Sequence, residues 1–425
     1  MKKLFCIQDT LANKISYYHL LCFVIALPFD TFFGDVILIS FSIHTVLHFK
    51  KERLRLLIDK QFLLLTSLYV VTLIGFLYSP YKEEGISLLT RQLAFILFPV
   101  LFALNEIDIV KYKFPLIKIF GLTTVVIILF LYVDALRIIC YFHLPIISLF
   151  NKDFINHNFS HVLDLHATYI SMYVAFSLSA FIYFLLVENI LFNKILYSIF
   201  ICILLAGLIQ LSSRAVLIAE FIIIFIAFPL VLLRDKKRIQ FILFSSLSLL
   251  LVFFVIANTA SFKDRFTSGL KDDLTQPSSI NHLTEPRLVR WQAEMELIKK
   301  SPVIGYGSGA EKDILKQKYF EKKLYLSYLS EFNAHSQYLS FLLNLGMIGC
   351  GLFIFILCYG FNKGIKDKDI LLISFLIIIA VTAISEDILN LNKGIFFYGF
   401  FISFLLLFQN EDKLKPKNMP EKATP

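Results

Sequence analysis

The chain has 425 residues, 57% of them hydrophobic and 16% aromatic, with 46 phenylalanines and a charged fraction of 17%, against roughly 25% charged in an ordinary soluble protein. No soluble fold could bury that much apolar surface, so composition excludes a soluble enzyme or binding module. The formal charge of +9 does not argue for nucleic acid, because most lysines and arginines stand in short connectors between apolar runs, as the positive-inside rule expects.

Those runs predict an all-α polytopic membrane protein with about twelve transmembrane helices. Lys2, Lys3 and Lys14 precede an apolar run at 17–33 that lacks a small-x-small cleavage site, so an uncleaved first span is expected there. A second span at 35–49 leads to KKERLRLLIDK, a basic connector assigned to the cytoplasm. The third, 61–78, exits at Ser79-Pro80, and after the turn Lys82-Glu83-Glu84 the fourth opens at Arg91 on the outer side. The connector 105–118 returns inside, and the fifth span, 119–136, leads to an outer loop holding His143, His157, His161 and His166. His157 and His161 have i, i+4 spacing, but no HExxH pattern or cysteine accompanies them, so a scattered, solvated or interfacial set is expected rather than a metal site.

The sixth and seventh spans, 167–187 and 195–211, bring the chain to Ser212-Ser213-Arg214 on the outer face. The eighth, 216–233, ends at RDKKR, the most basic connector, and the ninth, 239–257, completes a first block of helices over 1–257. Residues 258–337 form the one long polar segment, an outer loop predicted to contain helices and the active site. Spans ten to twelve follow within 338–408, at 338–361, 370–384 and 395–408, and 409–425 is expected to be a disordered cytoplasmic tail. Twelve crossings with both termini inside place every strongly basic connector in the cytoplasm. The six cysteines have no metal-ligand spacing.

The outer face carries the chemistry. Arg214 begins a span on the side where arginine is disfavoured, so it either snorkels to lipid phosphates or uses its planar fork of donors as an anion site. In the loop, RLVRWQAEMELIKK has helical periodicity with Leu288, Trp291, Met295 and Ile298 on one stripe, and Arg287 follows Pro286 at its start. SPVIGYGSG carries glycines at 305, 307 and 309 but no Lys-Ser/Thr and no preceding strand, so a tight turn is expected rather than a phosphate loop. AEKDILKQKYFEKKLYLSYL is expected to lie along the membrane surface. Asn333 is a plausible N-cap for the tenth span, and His335 beside it suits a general base because histidine titrates near neutrality. Glu331, Glu386 and Asp387 are reserve acid-base candidates on the same face.

Ser213-Arg214 at the start of a span, Pro286-Arg287-Leu288 with Trp291, Ser301-Pro302 with Gly305 and Gly307, and Asn333-Ala334-His335-Ser336 with Gly346 and Gly349 together resemble the O-antigen ligase family, which also includes O-antigen polymerases and protein O-oligosaccharyltransferases. The resemblance implies a glycosyltransferase of the bacterial inner membrane with its loop in the periplasm. Its two functional arginines and its histidine map onto Arg214, Arg287 and His335, with Arg290 and Arg91 as further substrate-binding candidates. The implied donor is a glycan on undecaprenyl diphosphate and the implied acceptor a sugar hydroxyl of the lipid A core, with inversion at the anomeric carbon. No cofactor and no metal is expected, since the arginines take the place of a divalent cation. The same residues would serve a polysaccharide polymerase, whereas a twelve-span transporter would need neither the large loop nor the arginine-histidine set.

Overall fold

The computed structural model describes residues 5–267, 271 and 285–407, and every regular element among them is helical. In chain order the helices are α1 (Leu11–Ala26), α2 (Thr31–His48), α3 (Lys60–Tyr78), α4 (Lys82–Gln92), α5 (Ala94–Leu104), α6 (Ile109–Tyr141), α7 (Ala167–Val187), α8 (Leu191–Leu211), α9 (Arg214–Ile222), α10 (Asp235–Asn258), α11 (Ala260–Phe266), α12 (Arg287–Ile298), α13 (Glu311–Glu321), α14 (Tyr325–Leu329), α15 (Gln337–Asp367), α16 (Ile370–Ser385) and α17 (Asn392–Leu406), joined by shorter turns. Among the described residues, eight stretches are long and apolar enough to cross a membrane: α2, α3, α4 with α5, α6, α7, α8, α9 with its continuation to Val231, and α15. The helices α1, α16 and α17 are apolar but shorter. The expected tail, 409–425, the start of the chain and much of the stretch before Arg287 lie outside the described residues.

Three boundaries differ from the sequence expectation, each for a local reason. The apolar run at 17–33 is divided, because Pro28 cannot continue α1 and Asp30 accepts the Phe32 N–H at 2.9 Å to cap α2. The fourth crossing starts at Lys82, where Glu83 and Glu84 complement the helix dipole, so Arg91 lies in the last turn of α4 and does not open a span. The connector 105–118 is mostly helix: Asp108 accepts the Lys111 N–H at 2.9 Å and begins the 33-residue α6.

Phenylalanine fills the centre of the bundle. Phe176 of α7 and Phe401 of α17 stand 4.7 Å apart between ring centroids, Phe120 of α6 lies 5.0 Å from Phe401, and Phe375 of α16 closes the group 5.4 Å from Phe397. Edge-to-face pairs of this kind add about 0.5–1.5 kcal/mol each beyond burial, which matters in lipid, where apolar burial by itself gives helices little reason to associate.

Two ends of the bundle are distinct. At one, Lys50 pairs with Glu106 at 2.7 Å, Arg53 donates to the Ala103 carbonyl at 2.9 Å and Lys113 pairs with Asp369, so the basic connectors gather together. At the other end, α15 is broken at Gly346, whose φ is +64°. The SPVIGYGSG turn inserts into this break: Tyr306 and Gly307 N–H groups donate to the Leu343 and Asn344 carbonyls at 2.9 and 2.8 Å, and Met347 N–H donates to the Pro302 carbonyl at 2.8 Å. The expected turn is therefore a splice that satisfies the backbone groups a broken helix would leave bare.

Candidate functional site

The site is assembled where the loop meets the ends of α9, α15 and α16. Arg287 is the first residue of α12, a position its own helix dipole disfavours. Its side chain reaches instead to the negative end of α16, where Nη1 donates to the Ser385 carbonyl at 2.9 Å and Nη2 lies 3.7 Å from Glu386 Oε1. One turn on, Trp291 Nε1 donates to the Ala334 carbonyl at 2.8 Å. The spacing of Arg287 and Trp291 thus has a mechanical meaning: one side chain holds α16 and the other holds the residue before His335.

His335 itself adopts φ +47°, a left-handed conformation costly for a residue other than glycine. Several contacts impose it. Asn333 Oδ1 accepts the His335 N–H at 3.1 Å, Asn333 Nδ2 donates to Asp387 Oδ2 at 3.2 Å, and the Gln337 N–H donates to the Glu386 carbonyl at 3.2 Å. Asn333 is accordingly not the cap of α15; Ser336 occupies that position and the Asn333 side chain folds back over His335. His335 Nδ1 stands 3.9 Å from Glu386 Oε2, an electrostatic contact longer than a hydrogen bond. Burial works to raise the Glu386 carboxyl, but the His335 and His166 rings and the Arg287 guanidinium outweigh it and hold the group below the usual carboxylate range.

Beneath this layer lie three acids. Glu311 accepts from the Ala334 N–H at 3.1 Å, from Asn344 Nδ2 at 3.1 Å and from the Ser340 hydroxyl. Asp387 accepts from Asn390 Nδ2 at 2.6 Å. Glu294 is fully buried on α12, and neither of its carboxyl oxygens has a hydrogen-bond partner among the described residues. Burial raises all three, and the proximity of Glu311 raises Glu294 and Asp387 further. Arg290 is buried here too, with its guanidinium 4.8 Å from the centre of the Phe332 ring. The buried face of α12 is therefore Arg290, Ala293, Glu294, Leu297 and Ile298, and the expected stripe through Met295 is offset from it. The lysine-rich run, expected along a membrane surface, has one face committed to the protein. Ile314, Leu315 and Tyr319 of α13 pack against Ala293, Leu297 and Ile298 of α12, forming a second small core.

The second outer loop completes the site. Gln210, near the end of α8, donates to the Leu149 and Phe154 carbonyls at 2.7 and 2.6 Å and so fastens the loop beside the Ser212-Ser213-Arg214 turn. His157 and His166 are not scattered as expected: their ring centroids are 4.0 Å apart, and Thr168 Oγ1 donates to Glu386 Oε1 at 3.5 Å. Arg265 of α11 donates from Nε to the Ser212 carbonyl at 2.9 Å. Arg214, the first residue of α9, is half-buried two positions further on. Arg91 donates to Ser87 Oγ at 2.8 Å and lowers the Asp387 carboxyl through its charge, against the stronger pull of burial. The Thr72 hydroxyl donates to Gln92 Oε1 at 2.9 Å, and Gln92 Nε2 donates to the Leu389 carbonyl at 3.1 Å, fixing the end of α4 to the turn that carries Glu386 and Asp387.

The structure thus gathers Arg287, His335 and Glu386 into one cluster, places Arg91 near Asp387, buries Arg290, and sets Arg214 two residues after the Ser212 carbonyl that Arg265 holds. Arg265 and the His157/His166 pair had no periodic or motif signal; only the polar outer loops they stand in could have drawn attention to them. A separate apolar cavity of about 1320 Å³ runs between α7, α8, α9 and α10, from Ile209 and Leu217 near the Arg214 turn to Arg234 and Lys237 at the basic end. It carries Glu220 but none of the clustered residues, so the chemistry belongs to the polar cluster and the cavity to something apolar.

Residues 198–354 match the model of the O-antigen ligase family. The matched span begins within α8 and ends within α15, so it contains Arg214, Arg287, His335 and the Gly346 break. The match supports the O-antigen ligase family, whose members are membrane glycosyltransferase-like ligases and polymerases. No curated protein matches the chain.

Proposed function

We propose that this O-antigen ligase domain transfers a glycan from undecaprenyl diphosphate to a sugar hydroxyl of the lipid A core, at the periplasmic face of the bacterial inner membrane. The observation that carries the proposal is the Arg287–Glu386–His335 cluster, which sets a fixed cation and a histidine side by side at the mouth of a membrane bundle. The gathering of the basic connectors at the opposite end supports the orientation, because the positive-inside rule assigns that end to the cytoplasm. Twelve crossings follow if α1, α10, α16 and α17 also span.

The reaction is a single displacement. The acceptor hydroxyl oxygen attacks the anomeric carbon, the bond from that carbon to the diphosphate oxygen breaks, and the configuration inverts. His335 takes the hydroxyl proton through the ring nitrogen that faces away from Glu386; the Glu386 carboxylate orients the ring and stabilises its charged form, as a carboxylate does for a catalytic histidine elsewhere. Arg214 and Arg287 bind the diphosphate and offset the charge that builds on it as it leaves. The apolar cavity beside α9 accommodates the polyprenyl chain, since its upper end lies three residues from Arg214. Arg91 and Arg290 act from behind, through Asp387 and Phe332, and not on substrate.

Product identity tests the proposal. Purified protein in vesicles with lipid-linked glycan and lipid A core should yield core lipid bearing the glycan. Longer lipid-linked glycan, with the core unmodified, would assign the same residues to a polymerase; no turnover with either acceptor would reject a transferase.

A further inference from the structure

The pairing of His157 and His166 has a consequence for which ring atoms face the cleft. The Ala167 N–H donates to His157 Nδ1 at 3.3 Å, and the Thr168 N–H donates to His166 Nδ1 at 3.4 Å as the cap of α7. A ring nitrogen that accepts from a backbone N–H cannot carry a proton, so each neutral imidazole holds its proton on Nε2 and presents that N–H as a donor. Both residues keep part of their surface accessible while the ring of each is partly enclosed. Their surroundings keep them neutral: burial pushes His157 down to about 4 and lowers His166, and the Arg265 and Arg287 charges act on both in the same direction, with Glu386 opposing.

We propose that Arg265, His157 and His166 form a second anion-binding wall of the site, which takes the pyrophosphate oxygens of the lipid-linked donor opposite Arg287. The assignment rests on the donor class proposed above. The physical logic lies in how donors are concentrated. Five cationic side chains around one cleft would repel each other strongly when it is empty. Three guanidinium groups, those of Arg214, Arg265 and Arg287, and two neutral N–H donors supply hydrogen bonds for an anion while only three charges must be held together. Arg265 is positioned for this by its bond to the Ser212 carbonyl, which sets its guanidinium beside the Arg214 turn. The wall therefore spans from Arg214 through Arg265 to the imidazole pair, and a diphosphate has two phosphoryl groups to distribute along it, where a monophosphate has one.

The test uses two substitutions that keep the cap of α7. Asparagine and aspartate both cap helices well, so His166→Asn retains the cap and an N–H donor, whereas His166→Asp retains the cap and replaces the donor with a negative charge. Full-length protein in nanodiscs is titrated with undecaprenyl diphosphate and, separately, undecaprenyl monophosphate. His166→Asp and Arg265→Gln should each weaken diphosphate binding by about tenfold or more, the scale of a lost charge-assisted hydrogen bond. His166→Asn should stay within a few-fold of the parent, and the monophosphate should be affected much less by all three. Unchanged diphosphate affinity in both His166→Asp and Arg265→Gln overturns the second wall while leaving the proposed transferase intact, as does equal loss for the two lipids. A parent protein that binds neither lipid overturns the donor assignment itself, and the wall with it.

Discussion

Arginine is specified at the site by geometry as much as by charge. Arg287 divides its fork between a carbonyl and a carboxylate, which a lysine ammonium on a flexible stem cannot reproduce. Arg287→Lys is therefore expected to lose transfer about as fully as Arg287→Ala, by roughly two orders of magnitude or more; full activity in the lysine variant, measured as product per time in vesicles, would reduce the role to a point charge. The buried acids allow a prediction of opposite character. Glu294 is raised well above its ordinary value, chiefly by burial. An acid whose folded pKa exceeds its unfolded one stabilises the fold below the unfolded value, and that contribution is lost as pH rises through the folded value. Glutamine has no proton to lose, so Glu294→Gln should gain thermal stability relative to the parent as pH goes from about 5 to about 8. A difference in melting temperature that does not change with pH would contradict the burial of an ionisable group there.

At the scale of elements, the broken helix α15 determines whether the site forms. A Cβ on Gly346 would lie 2.2 Å from the Val303 carbonyl oxygen, at a φ of +64°. Gly346→Ala should thus cost more than the 1–3 kcal/mol, roughly, of backbone strain alone, read as a lowered melting temperature of the purified protein together with lost transfer. Unchanged stability would mean that the splice is not needed to hold α15. Much of this arrangement was legible in the sequence, and the limits of legibility have physical causes. Arg287 and Trp291 are one helical turn apart, and Asn333 is two residues from His335, so local spacing carries their relation. Glu386 meets His335 across 51 positions and Thr168 across 218, and no period links residues that only tertiary packing brings together. The buried face of α12 is offset from its apolar stripe for a related reason: it includes Arg290 and Glu294, whose polar character gives no sign that tertiary packing encloses them.

The whole molecule separates a basic end from the end that carries the Arg287–Glu386–His335 cluster, and that separation is the basis for the proposed sides. A reporter fused within RDKKR should report cytoplasm, and one placed in the loop between Asn258 and Arg287 should report periplasm; the same side for both would remove the orientation and with it access to an outer-face acceptor. An aromatic core of interlocked α6, α7, α16 and α17 gives the cluster a rigid base. The cavity beside α9, proposed above for the donor's polyprenyl chain, lies outside that core.

The central claim is that His335 acts on the acceptor and the arginines on the donor, and the release of polyprenyl diphosphate after mixing donor-loaded protein with acceptor tests it most directly. General base catalysis contributes about a hundred- to ten-thousandfold, so His335→Ala should bind the lipid-linked donor as the parent does and release diphosphate slower by that factor. Release at the parental rate from His335→Ala, with Glu386→Gln inactive, would contradict the assignment and make Glu386 the base.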